Sequence, residues 1–243
     1  MALGAEGIEL LLEPATDADT GFDIVLIDDE GERTFVTVFG AEAALTAADL
    51  AHIQLGAGDL IHVSGYGLLE STNAAALAPW IAGIGTGHTV LVDPGPLGSE
   101  IAPGVLTIVA RRADWLSCNR REALLLTGAS DARGGAARLR QIWPAVVIRL
   151  GPEGCLLSTD QVEFIPGFAV EAIDTTGAGD AHTGAFLAAL AAGESPRAAA
   201  VLANACAAIA VTRQGPATAG SAGEVRLLLD SIERAGEVRA VDG

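Results

Sequence analysis

Basic side chains are scarce in this chain. Against 14 Lys and Arg stand 31 Asp and Glu, so the formal net charge at pH 7 is −17. A field of that sign repels the phosphates of nucleic acid and the surface of anionic membranes, which argues against either as a partner. It also repels an anionic nucleotide at long range, so a phosphate site has to be built locally, from backbone amides and a few cations. Cysteine is sparse as well. Cys118, Cys155 and Cys206 lie far apart, with no C-x-x-C pair and no neighbouring histidine at zinc spacing, and read as small buried residues in a reducing compartment. No apolar run is long enough to span a bilayer; the longest suspect, residues 197–212, is alanine-rich and interrupted by Asn204. The N-terminus carries no basic segment followed by an apolar core. A cytoplasmic location is therefore expected.

What is present is apolar mass: 243 residues, half of them hydrophobic, enough for one large core. Residues 22–28 and 32–39 are β-branched, aromatic-containing runs joined by Asp28-Asp29-Glu30-Gly31, whose glycine can take a positive φ, and predict a hairpin. Short apolar runs at 59–65, 89–94, 113–118 and 145–150 alternate with helix-compatible stretches at 71–84, 120–126 (closed by Gly128) and 132–142. That rhythm predicts an α/β fold, a doubly wound and mainly parallel sheet with helices on both faces. Residues 154–158 and 161–166 predict an antiparallel edge, and three helices follow at 179–192, 197–212 and 222–235.

The chemistry concentrates in Asp174-Thr175-Thr176-Gly177-Ala178-Gly179-Asp180, expected to join the end of a strand to the start of a helix. The amides of residues 177–180 would then converge at the positive end of a helix dipole and form an anion hole. A carboxylate at the helix start can take the proton of a hydroxyl held beside a bound phosphoryl group. Taken alone, the same string reads equally well as a glycine-rich turn capped by an aspartate. Asn119 and Glu122 have the spacing of an N-cap and its capping-box partner, and Gly151 and Gly154 that of a β-turn. Ser64-Gly65-Tyr66 and Asp93 stand at the carboxyl ends of predicted parallel strands, where ligands bind in open α/β sheets. His52, His62, His88 and His182 show no spacing suited to a metal or a triad; His62 reads as a packed core residue and His182 as a helix-surface one.

The string from Asp174 to Leu187 resembles the second signature of the PfkB, or ribokinase-like, carbohydrate kinases at every constrained position, Gly184 and Ala185 included. The resemblance implies phosphoryl transfer from ATP to a sugar or nucleoside hydroxyl, with Asp180 as catalytic base and Gly177, Ala178 and Gly179 as anion hole. Asn119-Arg120-Arg121-Glu122 resembles the family's N-x-x-E motif, which implies that Asn119 and Glu122 place Mg²⁺, mostly through water, and the nucleotide phosphates. Arg149-Leu150-Gly151-Pro152-Glu153-Gly154 resembles the turn that runs along the nucleotide. Asn204 falls where the family places a residue beside adenine, although a solvent-facing or capping amide fits equally well. Asp174, Thr176 and residues 211–217 match the family's monovalent-cation region, implying K⁺. Gly65, Asp93 and Asp180 would face the acceptor, Asp93 favouring a polyhydroxylated over an acidic one.

The resemblance begins well inside the family fold. The opening core strand with its substrate-binding aspartate, two lid strands and a Gly-Gly-x-x-x-Asn motif have no counterpart here. The expected layout is a core of residues 1–19 and 41–243 and an incomplete lid hairpin of residues 20–40, through which family members pair as homodimers. Two functions follow: a sugar kinase, or a truncated or degenerate relative that binds nucleotide without efficient catalysis.

Overall fold

The computed structural model describes residues 2–27 and 33–241. A short helix α1 (Ala2–Ala5) precedes a two-stranded antiparallel sheet of β1 (Phe22–Ile27) and β2 (Arg33–Val38), in register from Phe22 opposite Val38 to Ile27 opposite Arg33. The expected turn at Asp28–Gly31 lies outside the described residues. At the root of the hairpin the Glu42 carboxylate accepts hydrogen bonds from Gly21 N and Gly40 N, each 2.8 Å. Those amides hold the carboxyl below its ordinary pKa, Gly21 most strongly. Asn73 fastens this root to the core, donating to Glu42 O at 2.7 Å and accepting from Leu45 N at 2.8 Å.

The main sheet follows in the order β3 (Leu60–Ser64), β4 (Thr89–Asp93), β5 (Trp115–Asn119), β6 (Val146–Arg149), β7 (Gly154–Ser158), β8 (Val162–Pro166). The first four strands are parallel; β7 and β8 run antiparallel as an edge. Alternate side chains of each strand enter different layers, as the two-residue pleat requires. Val90, Val92, Leu116, Cys118, Val146 and Ile148 pack against α3 (Ser71–Gly83), α4 (Pro103–Arg112), α5 (Arg120–Thr127) and α6 (Ala132–Leu139). On the other face Leu91, Trp115, Val147, Cys155, Leu157 and Ile165 meet α7 (Ala178–Ala191) and α8 (Pro196–Val211), where Ala189, Ala199, Ala200 and Ala203 let the helices approach closely. A short α2 (Ala47–Leu50) and a terminal α9 (Ala222–Val241) complete the order.

One element was not anticipated and two sequence expectations change. The stretch at 103–112 forms helix α4, which its β-branched Val105, Thr107, Ile108 and Val109 concealed. Its end is held by Arg112, which donates to the carbonyls of Ile84, Gly85 and His88. His62 is exposed and not a core residue, because α7 and α8 cover β4 to β8 but leave that face of the edge strand β3 open. No strand leads into the Asp174 loop. β8 ends at Pro166, and the amides of Ile173 and Asp174 donate instead to Val211 O at the end of α8, 2.7 and 3.2 Å away.

Phe186 of α7 is 1% exposed and meets Trp115 edge-on, with ring centroids 5.0 Å apart at 75°. Phe186→Ala should destabilise the fold by about 3–5 kcal/mol through the cavity it leaves, measured as a lowered midpoint in chemical denaturation; a loss under about 1 kcal/mol would show that this helix–sheet contact is not a core contact.

Candidate active site

The parallel strands deliver their carboxyl ends to one side of the sheet. Ser64 of β3 is in register with Asp93 of β4, and Asn119 of β5 with Arg149 of β6. Gly65 follows β3 so closely against the next strand end that a Cβ there would stand 2.0 Å from Pro94 O, so only glycine fits. The ring of Tyr66, 50% exposed, lies against the Gly95 turn. Its phenol is raised above the ordinary tyrosine pKa, first by burial and then by the charges of Asp23, Glu122, Asp180 and Asp93. Asp23 of β1, Glu122 of α5, Asp180 of α7 and Asp93 of β4 are thus all near enough for their charges to act on this one phenol. Asp23 was not anticipated; the signal was its position as the single charge in an otherwise apolar strand, and it accepts a hydrogen bond from Thr37 Oγ1 at 2.5 Å.

The Asp174 loop is built on hydrogen bonds. Asp174 Oδ1 accepts from Thr176 N at 2.9 Å and Oδ2 from Gly215 N at 3.1 Å, binding this loop to the segment after α8. Gly177 is the N-cap of α7 at φ 77°, and a Cβ on it would meet Pro216 O at 1.9 Å. Ala178 N donates to Thr175 O at 3.3 Å, so the helix dipole and the remaining first-turn amides carry the anion-attracting end. Asp180 is exposed in that first turn. It borders, with Gly177, a cavity of about 660 Å³ whose wall includes Leu202, Cys206, Gly220 and Arg226. Arg226 is a cation that sequence reasoning missed; nothing in its helical surroundings marks it out.

Asn119 and Glu122 do form a capping box. Glu122 N donates to Asn119 Oδ1 at 2.9 Å, and the Glu122 carboxylate accepts from Asn119 N and Nδ2, both 2.7 Å. Glu122 is 5% exposed, and burial first of all lifts its pKa above the ordinary range. Among the described residues no three His, Cys, Asp or Glu side chains are grouped to hold a metal ion directly. With both carboxylate oxygens of Glu122 already accepting amides, this donor set suits a hydrated cation better than a bare one. Arg149 turns inward: its Nη1 donates to Asp93 Oδ2, Ser117 Oγ and Thr183 Oγ1. Asp93, expected to face an acceptor freely, is thus ion-paired, and its Oδ1 accepts from Gly95 N at 3.0 Å.

A family model described as pfkB family carbohydrate kinase matches residues 2–222. The chain belongs to the PfkB family of carbohydrate kinases. It is 31% identical over 219 residues to the Escherichia coli sugar kinase YegV, covering 88% of this chain and 67% of that one. Against mouse ribokinase it is 33% identical over 181 residues, 70% of this chain and 54% of the relative. The chain thus spans between about half and two thirds of these two relatives. The crystal structure of Vibrio cholerae fructokinase bound to fructose, ADP and calcium superposes with a TM-score of 0.82 at 27% identity, covering 94% of this chain and 79% of that one. The ribokinase-like fold is therefore that of this PfkB protein too.

Within this family frame two polar residues prove internal. Asn204 is 5% exposed; its Nδ2 donates to Ile165 O and Pro166 O, 3.2 and 3.1 Å, and its Oδ1 meets His182 Nε2 at 3.1 Å. It is neither solvent-facing nor a cap, since the end of β8 supplies carbonyls that only an amide inside α8 can reach. His182 is likewise buried and not on the helix surface, because it faces α8. All three cysteines are buried and free. No described helix is long and apolar enough to cross a membrane.

Gly177→Ala should cost about 1–3 kcal/mol of stability, as a strained φ and a clash with Pro216 O must both be relieved; a variant as stable as wild type in thermal melts would refute the close approach. Burial holds His182 down from 6.5 to about 3. The folded state therefore binds fewer protons there than the unfolded one, so this contribution is full above pH 6.5 and is lost as pH falls towards 3. His182→Gln should flatten that part of the stability–pH curve; an unchanged slope would place the titration elsewhere.

Proposed function

We propose that this chain is an ATP-dependent kinase that transfers the γ-phosphoryl group to a hydroxyl of a sugar or nucleoside. What supports the reading most directly is the exposed carboxylate of Asp180 in the first turn of α7, next to the Gly177 cap and at the positive end of that helix. Asp180 would accept the acceptor's hydroxyl proton as that oxygen attacks the γ-phosphorus, and the bond from phosphorus to the ADP oxygen breaks. Gly177, Ala178 and Gly179 would stabilise the charge of the transferring group through backbone dipoles at the helix start. The nucleotide would lie along Asn119, Gly151 and Gly154, with Arg149 and Asn204 supporting that wall from behind. Mg²⁺, held through water by Glu122 and Asn119, would neutralise phosphate charge that this acidic chain otherwise repels. Asp174 and Thr176 would order the loop beside a K⁺ ion, and Gly65 and Asp93 would border the acceptor. The reading carries with it a cytoplasmic location and a homodimer made through the exposed apolar strands of the hairpin, residues Phe22, Ile24, Val36 and Val38.

Nucleotide binding without efficient transfer is the second reading. It is favoured by the acceptor side of the cleft, where Gly65 and Tyr66 follow the edge strand β3 and half of Tyr66 faces solvent. Asp180→Asn separates the two. Under the kinase reading turnover should fall by about 10²–10⁴-fold while the ATP dissociation constant in calorimetry stays within about threefold. Unchanged turnover would remove Asp180 from its role, and ATP binding with no transfer across a panel of free sugars and nucleosides would favour the second reading.

A further inference from the structure

We infer that Arg149 is the positioning residue of the transfer site, fixing the Asp180 turn of α7 relative to the strand end that carries Asp93. The inference rests on the kinase reading, but assigns Arg149 a task other than touching the nucleotide. Its side chain is 12% exposed. Nη1 donates to oxygens on three elements: Asp93 Oδ2 of β4 at 2.9 Å, Ser117 Oγ of β5 at 2.6 Å and Thr183 Oγ1 of α7 at 3.1 Å. Nη1 has only two hydrogens, so these three acceptors share them and that nitrogen is fully engaged within the protein. Ser117 and Thr183 stand 3.3 Å apart and close the ring. On the other side Nη2 lies 3.7 Å from Glu122 Oε2.

The guanidinium also underlies the loop. A Cβ built on Gly179 would sit 3.6 Å from Nη2 and 3.7 Å from Nε, so the plane of the side chain is in reach of the Gly179 backbone. Thr183 lies about one helical turn beyond Gly179. A bond from Arg149 to Thr183 therefore sets the rotation of the turn that carries Asp180, while the bonds to Asp93 and Ser117 tie that setting to the sheet. The chain contains no lysine, so all 14 of its basic side chains are arginines. The guanidinium is a rigid planar fork whose Nη1 meets Asp93, Ser117 and Thr183 while Nη2 lies beside Glu122 and Gly179; an ammonium in its place would be a compact point charge on a flexible stem.

Steady-state kinetics of Arg149→Ala, Arg149→Lys and Thr183→Val test the inference, with thermal melts to check folding. Arg149→Ala should lose about 100-fold or more in kcat, the cost of a misplacement on the order of 1 Å, with KM for ATP changed by less than about threefold. Added guanidinium ion should restore at least about tenfold of that loss and none of the loss in Asp180→Asn, whereas Arg149→Lys should stay close to Arg149→Ala. Should Arg149→Ala fail to fold, Thr183→Val removes only the α7 contact and should lower kcat about tenfold, again with little change in KM for ATP. A rise in KM for ATP at unchanged kcat would make Arg149 a nucleotide contact and overturn the inference. So would an unaffected kcat in Thr183→Val. Wild-type protein that transfers no phosphoryl group would overturn the kinase reading itself, and the inference with it.

Discussion

Arg149 meets Asp93, Ser117 and Thr183 in a region that solvent reaches poorly, and Glu122 closes the far side. A buried guanidinium cannot shed its proton, so it must be surrounded by acceptors, and removing any of them leaves charge uncompensated in a low dielectric. The rest of the site is arranged around that demand. β4, β5 and β6 end where they supply or carry the partners, and the small residues at the start of α7 let the helix come down onto the guanidinium. Even the raised pKa of Glu122 follows from this crowding, burial outweighing the opposing pull of the Asn119 amide and of Arg149.

A chain with so large an excess of carboxylates has to gather its anion-attracting elements at one point. Here the charges of Asp23, Asp93, Glu122 and Asp180 all act on Tyr66, while Asp180 also borders a cavity lined mainly by small and apolar residues. The surroundings of Asp180 therefore differ in polarity from one side to the next. That division suits a reaction with one neutral, hydroxyl-rich partner and one partner that is apolar at one end and anionic at the other.

Much of this was legible in the residues. Short apolar runs marked the strands of the main sheet, most clearly β4 to β7, whose burial on both faces leaves little freedom of composition. Gly128 marked the end of α5 and does adopt the left-handed cap at φ 64°. The Asp174 string announced its helix start through its glycines. What stayed hidden depended on contacts distant in sequence. α4 is rich in β-branched residues, and its end is anchored by Arg112, which reaches back to three carbonyls near residue 85. The inward turn of Arg149 needs Asp93, 56 positions away, and that of Asn204 needs carbonyls 38 and 39 positions away. Local pattern carries no trace of such partners.

The root of the hairpin has a mechanical consequence. Both strands leave the core beside one carboxylate, Glu42, whose oxygens receive Gly21 N and Gly40 N. A strand of this length is a lever of roughly 20 Å, so a tilt of about ten degrees at its fulcrum moves the far end by roughly 3–4 Å. Asp23 lies one pair out from the fulcrum, and the exposed Ile24, Val25, Leu26 and Val36 lie farther out. Rocking on Glu42 would move the outer part of the strands by those few ångströms while scarcely displacing Asp23.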